Sequence, residues 1–213
     1  VKKILSTYNE SVYRYLACHP IAHMPQIFKV YRGDRYLVVV EEYIEGSSLS
    51  EYLKEGTFEP FEAARIVRDL CCILNELHTL ECPIIHRDIK PSNVMLTKSG
   101  EVVLLDMNVA KWYDSEEKED TRLLGTKDYA APEQAGYGMK ASSDKTDIYA
   151  VGILLNVMLT GKLPKEKPAQ GKLWDIIERC ISLDADTRYS ADELIERLDN
   201  YLGENTNAGK KDR

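Results

Sequence analysis

The feature that most constrains the fold is a helix-forming stretch that is apolar on almost every side. Between Thr146 and Thr160 the chain contains the run IYAVGILLNVML, and Gly161 follows as a natural helix terminator. A helix without a polar face must be surrounded by other elements or lie in a membrane. No run reaches the roughly 18 uncharged residues that a membrane span needs. The stretch therefore predicts the buried centre of a mainly helical unit.

Other segments predict helices around this centre. From Pro60 to Leu80, apolar residues recur at helical spacing, which predicts a long amphipathic helix. A last helix is predicted to open at Ser190, because Ser190 and Glu193 have the spacing of a capping box. The polar tail after Gly203, residues 203–213, predicts disorder.

Strand patterns cluster in the first half of the chain. The run YLVVVE from Tyr36 to Glu41 predicts a buried strand. Residues 93–97 and 101–105 predict a hairpin around the turn-forming tripeptide Lys98-Ser99-Gly100. Residues 106–133 have no clean periodicity, and a loop of that length in a compact domain is usually functional or disordered.

Composition narrows the possible partners and location. The net charge of −7 argues against broad nucleic-acid binding, which needs a basic surface. The N-terminus lacks the basic-then-apolar pattern of a signal peptide, so we expect a cytoplasmic protein or the cytoplasmic part of a larger one. An odd number of cysteines without C-x-x-C spacing predicts neither disulfides nor a structural zinc site. Reduced, mostly buried thiols are expected at Cys18, Cys71, Cys72, Cys82 and Cys180.

Several short motifs occur in a fixed order within this framework. HRDIKPSN spans residues 86–93, DMN spans 106–108, Gly125-Thr126 follows, and APE spans 131–133. In that order they resemble the catalytic loop, D-F-G, G-T and A-P-E motifs of eukaryotic-type serine/threonine protein kinases. Small-molecule phosphotransferases share the Asp and Asn of the loop but lack an A-P-E segment. The resemblance covers roughly residues 1 to 202.

The resemblance implies an α+β, two-lobed protein-kinase-like fold. Residues 1–43 would form part of a small β-rich N-lobe, starting at the end of its third strand, and residues 44–202 would form the mainly helical C-lobe. Asp147 would hold the backbone of the catalytic loop. Glu133 would pair with Arg188 and so fix the activation segment to the C-lobe.

The implied activity is transfer of the ATP γ-phosphate to Ser/Thr hydroxyl groups of proteins, with ATP and Mg²⁺ as cofactors. Asp88 would accept or orient the proton of the substrate hydroxyl, and Lys90 would place a positive charge against the γ-phosphate. Asn93 and Asp106 would supply oxygen ligands to Mg²⁺. Thr126 completes the implied catalytic set.

For the nucleotide, the resemblance implies a hinge in which Glu42 and Ile44 contribute backbone groups, with Met95 in the apolar floor under the adenine. Lys2 would be the lysine that contacts the nucleotide, and Glu10 would be its helical partner. A solvated basic terminus is the alternative for Lys2. The tract HMPQI at residues 23–27 permits a shifted alignment for Glu10.

The chain departs from the family pattern in several places. No G-x-G-x-x-G lies upstream, so the chain as given is expected to be weakly active or inactive. Met107-Asn108 replaces Phe-Gly, and Asn108 is expected to tolerate a left-handed backbone better than most residues. Glu41 stands at the gatekeeper position, where an apolar residue is usual, so the back of the adenine pocket should be polar or narrowed.

Two functions stay open: an active protein serine/threonine kinase, or a kinase-fold pseudoenzyme that acts as a scaffold or allosteric module. Expected partners are a protein substrate with Ser or Thr, with no nucleic acid and no membrane segment in this chain. A dimer through the exposed N-lobe is also expected. Phosphate on Thr121, Thr126 or Ser115 would order the activation segment by pairing with Arg87.

Overall fold

In the computed structural model, which describes residues 1–113, 126–135 and 142–208, the chain begins with a three-stranded antiparallel sheet. Its strands are β1 (Lys2–Leu5), β2 (Ile27–Arg32) and β3 (Leu37–Glu41), in the order β1-β3-β2. Helix α1 (Glu10–Cys18) packs beside β2 and is capped by the Asn9 side chain, which accepts a bond from the Val12 amide. Strand β3 alternates as its sequence predicts, with Leu37, Val39 and Glu41 buried. This face of the sheet therefore packs against the interior of the protein.

The second lobe is mainly helical and surrounds the apolar stretch. Its helices are α2 (Leu49–Glu55), α3 (Pro60–His78), α4 (Asp144–Thr160), α5 (Lys172–Cys180) and α6 (Ala191–Ala208). Helix α4 is buried along most of its length and packs against α3 and α5, while α3 packs against α6. It ends at Gly161, which takes the left-handed conformation (φ 69°). The predicted buried central helix is therefore present.

Short strands join the two lobes and place the catalytic loop. Strand β4 (Gly46–Ser48) pairs with β6 (Val94–Thr97), which forms a hairpin with β7 (Val102–Leu104). The hairpin turns at Gly100, whose φ of 83° requires a left-handed residue. Strand β5 (Ile84–Ile85) pairs with β8 (Lys111–Trp112). Residues 86–93 and 105–110 are thus held between two small antiparallel pairs.

The structure corrects two expectations about the chain and shows which residue after the hairpin is left-handed. Helix α6 begins with the predicted Ser190 and Glu193 capping box, but it continues to Ala208, so residues 203–208 are helical rather than disordered. Residues 209–213 lie outside the described part. Asn108, which was expected to tolerate a left-handed backbone, does not have a positive φ, whereas Asp106 does, at 66°. Of the free cysteines, Cys71 and Cys180 are buried, whereas Cys18 and Cys82 are exposed.

Among the described residues, no helix combines the length and the apolar character needed to cross a membrane.

Candidate active site

Asp88 is the centre of a compact polar cluster in the catalytic loop. Its Oδ1 accepts hydrogen bonds from the Thr126 amide (3.0 Å) and from Thr126 Oγ1 (2.9 Å). Its Oδ2 lies 2.6 Å from Lys90 Nζ and accepts a bond from Asn93 Nδ2 at 3.0 Å. Lys90 also donates to Thr126 Oγ1 at 2.8 Å. The structure therefore brings four of the predicted site residues within hydrogen-bond distance of one another.

This cluster controls the charge of Asp88. Partial burial alone would raise the pKa of the carboxyl group. The hydrogen bonds from Lys90 and Thr126, together with the Lys90 charge, outweigh burial and hold the pKa below its ordinary value. Asp88 is thus a carboxylate at neutral pH, which accepts and orients hydrogen-bond donors more readily than it removes a proton.

The backbone of the catalytic loop is fixed from beneath by Asp147 on α4. Its carboxylate accepts the amide N–H groups of His86 (2.9 Å) and Arg87 (2.7 Å), and it lies 2.9 Å from His78 Nε2. Complete burial would raise the pKa of Asp147, but its hydrogen bond and electrostatic interaction with His78, its interaction with His86 and the Arg87 amide lower it. Arg87 itself has a φ of 68°, an uncommon backbone for a non-glycine residue. The buried carboxylate therefore stabilises a strained loop.

Asn93 and Asp106 are brought together by the hairpin. The Leu105 amide donates to the Asn93 carbonyl at 2.8 Å, so Asp106 follows directly beside Asn93. Asn93 Nδ2 donates to the Asp88 carbonyl (2.9 Å) and carboxylate, and its Oδ1, which accepts a long bond from Ser92 Oγ (3.5 Å), is the atom that could be a ligand to a cation. One carboxylate and one amide oxygen suit Mg²⁺, which keeps several water ligands. Across the described ranges, no group of three or more His, Cys, Asp or Glu is arranged to hold a metal.

A cleft opens above these residues, between the sheet of the first lobe and strand β6. Glu42, Ile44 and Met95 all line it, in agreement with their predicted proximity. The Glu42 amide is already bonded to the Gln26 carbonyl at 2.8 Å, which fixes the path of the hinge. Leu105 and Lys3 complete the same wall.

The structure corrects the assignment of Lys2. Lys2 is exposed, and strand alternation puts its side chain on the face opposite to that of Lys3. Lys3 lines the cleft, and its Nζ lies 2.6 Å from Glu41 Oε1. The lysine of the cleft is therefore Lys3, and Glu41 is its acidic partner.

The assignment of Glu10 is also wrong. Glu10 accepts hydrogen bonds from Arg14 (2.8 Å) and Arg32 (3.1 Å), which lower its pKa at the outer side of α1. The inward residue of the helix is Tyr13, which lines a small cavity with Glu41 and Asp106. Neither alignment of this region could be settled from sequence, because only helical phase decides which residue faces the cleft.

Comparison with known proteins agrees with this geometry. The family model described as "Protein kinase domain" matches residues 7–173, which is most of the chain. The chain belongs to the protein kinase family. The α+β fold with a small β-rich lobe and a helical lobe, expected from the sequence, is confirmed.

The curated relatives of this kinase domain include bacterial and plant proteins. It is 35% identical to "Serine/threonine-protein kinase PrkC" of Bacillus subtilis over 66% of this chain and 22% of that protein. It is 37% identical to "Probable serine/threonine-protein kinase PknB" of Corynebacterium glutamicum over 60% of this chain and 20% of that protein. "Mitogen-activated protein kinase kinase 1" of Arabidopsis thaliana is 29% identical over 74% of this chain and 52% of that protein.

The kinase chain thus spans about a fifth of the length of the bacterial relatives. All three relatives have kinase names, and they give no support to the alternative of a pseudoenzyme.

Two contacts of the kinase site were not predicted. Tyr13 Oη donates to Asn108 Oδ1 at 2.7 Å, which links α1 to the residues after Asp106. Burial raises the pKa of Tyr13, and the charges of Asp106 and Glu41 raise it further, so the phenol stays a donor. The second contact is the Lys3–Glu41 pair. The polar character of Glu41 was the one sequence signal that pointed to it.

The activation segment is anchored at its described end. Glu133 and Arg188 form two buried hydrogen bonds, at 2.7 Å and 3.0 Å, and Thr146 donates to the same carboxylate at 2.8 Å. Met107 is buried, as expected for a residue that packs in place of phenylalanine. The proposed phosphorylation sites Thr121 and Ser115 lie outside the described residues.

Proposed function

We propose that this chain is the catalytic domain of a protein serine/threonine kinase, which transfers the γ-phosphate of ATP to hydroxyl groups of protein substrates. The observation that carries the proposal is the cluster of Asp88, Lys90 and Thr126, in which one ionised carboxylate faces one lysine ammonium group at 2.6 Å. The two bacterial relatives with serine/threonine-protein kinase names support it.

In the proposed reaction Asp88 orients the substrate hydroxyl. A serine or threonine hydroxyl would replace the Thr126 hydroxyl at Asp88 Oδ1 and donate to it, so that its lone pair is directed at the γ-phosphate. Because the pKa of Asp88 is lowered, its main contribution is orientation in the early part of the step. The proton then leaves with the phosphorylated product or passes to solvent through the same carboxylate.

Lys90 supplies the charge that the transferring phosphoryl group needs. Its ammonium group lies between Asp88 and Thr126, so it can reach the γ-phosphate from the position of the attacking hydroxyl. Stabilisation of negative charge by a preorganised cation is typically the largest contribution in phosphoryl transfer. Thr126 keeps the lysine and the carboxylate in register until the substrate enters.

The nucleotide would bind in the cleft. The backbone at Glu42 and Ile44 would meet the adenine edge, Met95 would lie beneath the ring, and Lys3 would meet the phosphates. Asn93 Oδ1 and the Asp106 carboxylate would hold Mg²⁺, which supplies neutralisation of phosphate charge. On this proposal residues 1–43 form the N-lobe portion and residues 44–202 the C-lobe. A dimer through the first lobe stays a prediction.

Phosphotransfer by the full-length protein tests the proposal. Asp88→Asn and Asp106→Ala should each reduce the rate by at least about 10²-fold, because each removes an acid-base or charge-stabilising group. Asp192→Asn is the matched control, since Asp192 is an exposed carboxylate on α6. Circular dichroism should show the same folded state for all three variants. Phosphotransfer by Asp88→Asn at the wild-type rate would contradict the assignment.

A further inference from the structure

The carboxylate beside the cleft lysine comes from the neighbouring strand and not from helix α1. Lys3 Nζ lies 2.6 Å from Glu41 Oε1, and the exposed side-chain fractions are 24% and 8%. Lys3 is paired with Val39 across the ladder, so Glu41 is the diagonal neighbour on the same face. The Glu41 amide also donates to the Val1 carbonyl at 2.9 Å. Lysine and carboxylate are therefore fixed by one continuous ladder between β1 and β3.

Helix α1, which lies entirely in the described part of the chain, offers no competing acid. Glu10 is its one acidic residue, and it is engaged by Arg14 and Arg32. The buried residues of the helix are Val12, Tyr13 and Leu16. Tyr13 faces the cavity behind Glu41 as a neutral phenol, which cannot neutralise an ammonium group.

A carboxylate as buried as that of Glu41 requires a cation or several donors. The contact with Lys3 meets this need, and it also keeps the lysine ammonium group at the wall of the cleft beside Leu105. Without such a partner a lysine side chain samples many rotamers, and ordering it against a ligand then costs side-chain conformational entropy. Glu41 thus limits the positions from which Lys3 can meet an anionic ligand.

We propose that Glu41 is the positioning residue of Lys3, so that placement of the nucleotide-contacting lysine depends on the β1–β3 strand pair and not on helix α1. This inference rests on the proposed function, because it assumes that Lys3 contacts the phosphates of ATP. If the inference is right, displacement of α1 would leave Lys3 paired with Glu41.

A double-mutant cycle in the full-length protein tests the inference. Glu41→Gln keeps the side-chain shape and removes the charge. It should lower kcat/KM for Mg-ATP by about 10- to 100-fold, as misplacement of a reacting group does. In a Lys3→Met background the same change should alter kcat/KM for Mg-ATP by less than about twofold, since no lysine is left to position. A purely structural role would give the same loss in both backgrounds.

The matched control is Glu45→Gln, which breaks an exposed pair with Lys98 that has the same 2.6 Å distance. It should leave both kinetic constants within about twofold of wild type, since exposed pairs contribute little. A rise in activity of Glu41→Gln, or an equal loss in Glu10→Gln, would overturn the inference. If Glu41→Gln does not fold, Lys3→Met and Lys3→Met/Glu41→Met are compared instead, and the inference requires equal Mg-ATP affinities.

The outcomes also separate the inference from the proposed function. If the wild-type protein binds Mg-ATP but transfers no phosphate, the proposed function fails, and the cycle measured by calorimetry still decides the role of Glu41. If the wild-type protein binds no Mg-ATP, both are overturned.

Discussion

The buried pair of Glu133 and Arg188 should dominate the stability of the second lobe. Arg188 is 1% exposed and makes two hydrogen bonds to Glu133, and it also donates to the Ser182 and Lys145 carbonyls. Arg188→Met removes all of these bonds and leaves the buried Glu133 carboxylate with the Thr146 hydroxyl as a side-chain donor. Breaking one side of a buried pair typically costs about 3–5 kcal/mol. For a domain of this size that corresponds to a loss of about 6–20 °C in Tm.

Thermal and urea denaturation of the wild type and Arg188→Met measure this loss. The matched control is Arg68→Met, which breaks a half-exposed pair with Asp199 at 2.9 Å and should cost less than about 1 kcal/mol. The double variant Arg188→Met/Glu133→Leu should recover part of the stability, because it removes the charge that Arg188→Met leaves unpaired. If Arg188→Met is no less stable than Arg68→Met, or if the double variant loses the sum of both single losses, the reasoning fails.

The same pair predicts a pH dependence with a definite sign. Burial would raise the pKa of Glu133, but the Arg188 hydrogen bond and charge lower it in the folded state. A lowered folded pKa contributes stability above the unfolded value of about 4.3, and this contribution is lost as pH falls through the folded pKa. In Arg188→Met, burial without the arginine should instead raise the folded pKa of Glu133, so the stability difference from wild type should begin to shrink above the unfolded value and continue to shrink as pH falls.

Three further predictions concern the site itself. Asp147→Asn should reduce phosphotransfer by at least about 10²-fold in a steady-state assay, because it weakens the bonds that hold the loop backbone before Asp88, and unchanged activity would contradict that role. Tyr13→Phe removes the donor to Asn108 and should lower the free energy of unfolding by about 1 kcal/mol in urea titration, and a change near zero would count against the bond. Because the pKa of Asp88 is lowered, Asp88 should add no acid limb to the kcat/KM profile between pH 5 and 7, and an acid limb there that is absent from Asp88→Asn would refute it.

Sequence could predict the parts of the site that local chain geometry fixes. HRDIKPSN holds Asp88, Lys90 and Asn93 within eight residues, so one loop conformation places all three side chains. The hairpin between β6 and β7 then brings Asp106 back to Asn93. The first arrangement depends on the short separation along the chain, and the second depends on the turn at Gly100. Both features can be read from the sequence.

The first lobe could not be predicted as well, because its site depends on the phase of short elements. Lys2 and Lys3 are adjacent lysines on a four-residue strand, and the hydrophobic pattern around them does not show which one faces inward. The same holds for α1, where Glu10 was expected inward and Tyr13 is found there. Residue preference also did not identify Asp106 as the left-handed residue, although asparagine at 108 tolerates that conformation better. The Asp106 carboxylate there accepts the Asn108 amide at 3.2 Å, a contact that residue preference alone does not show.

Two residues of the site have a strained backbone, and each is stabilised by hydrogen bonds from its surroundings. Arg87 and Asp106 both have positive φ, and each such conformation costs about 1–2 kcal/mol for a residue with a side chain. Asp147 offsets the first by accepting two loop amides, and the Leu105–Asn93 backbone bond holds the second. The backbone of the catalytic loop is therefore held in its strained conformation by hydrogen bonds to residues of the second lobe.

Helix α1 is tied to the site differently, through the bond from Tyr13 to Asn108 and the bond from Trp112 Nε1 to Ser11 Oγ. Both bonds end on the chain that follows Asp106, whereas Lys3 is held by strand β3. A movement of α1 would thus be transmitted to the chain after Asp106, the proposed metal ligand, and would leave Lys3 in place. Helix α1 is therefore bonded to the chain at Asn108 and Trp112, whereas Lys3 is bonded to strand β3.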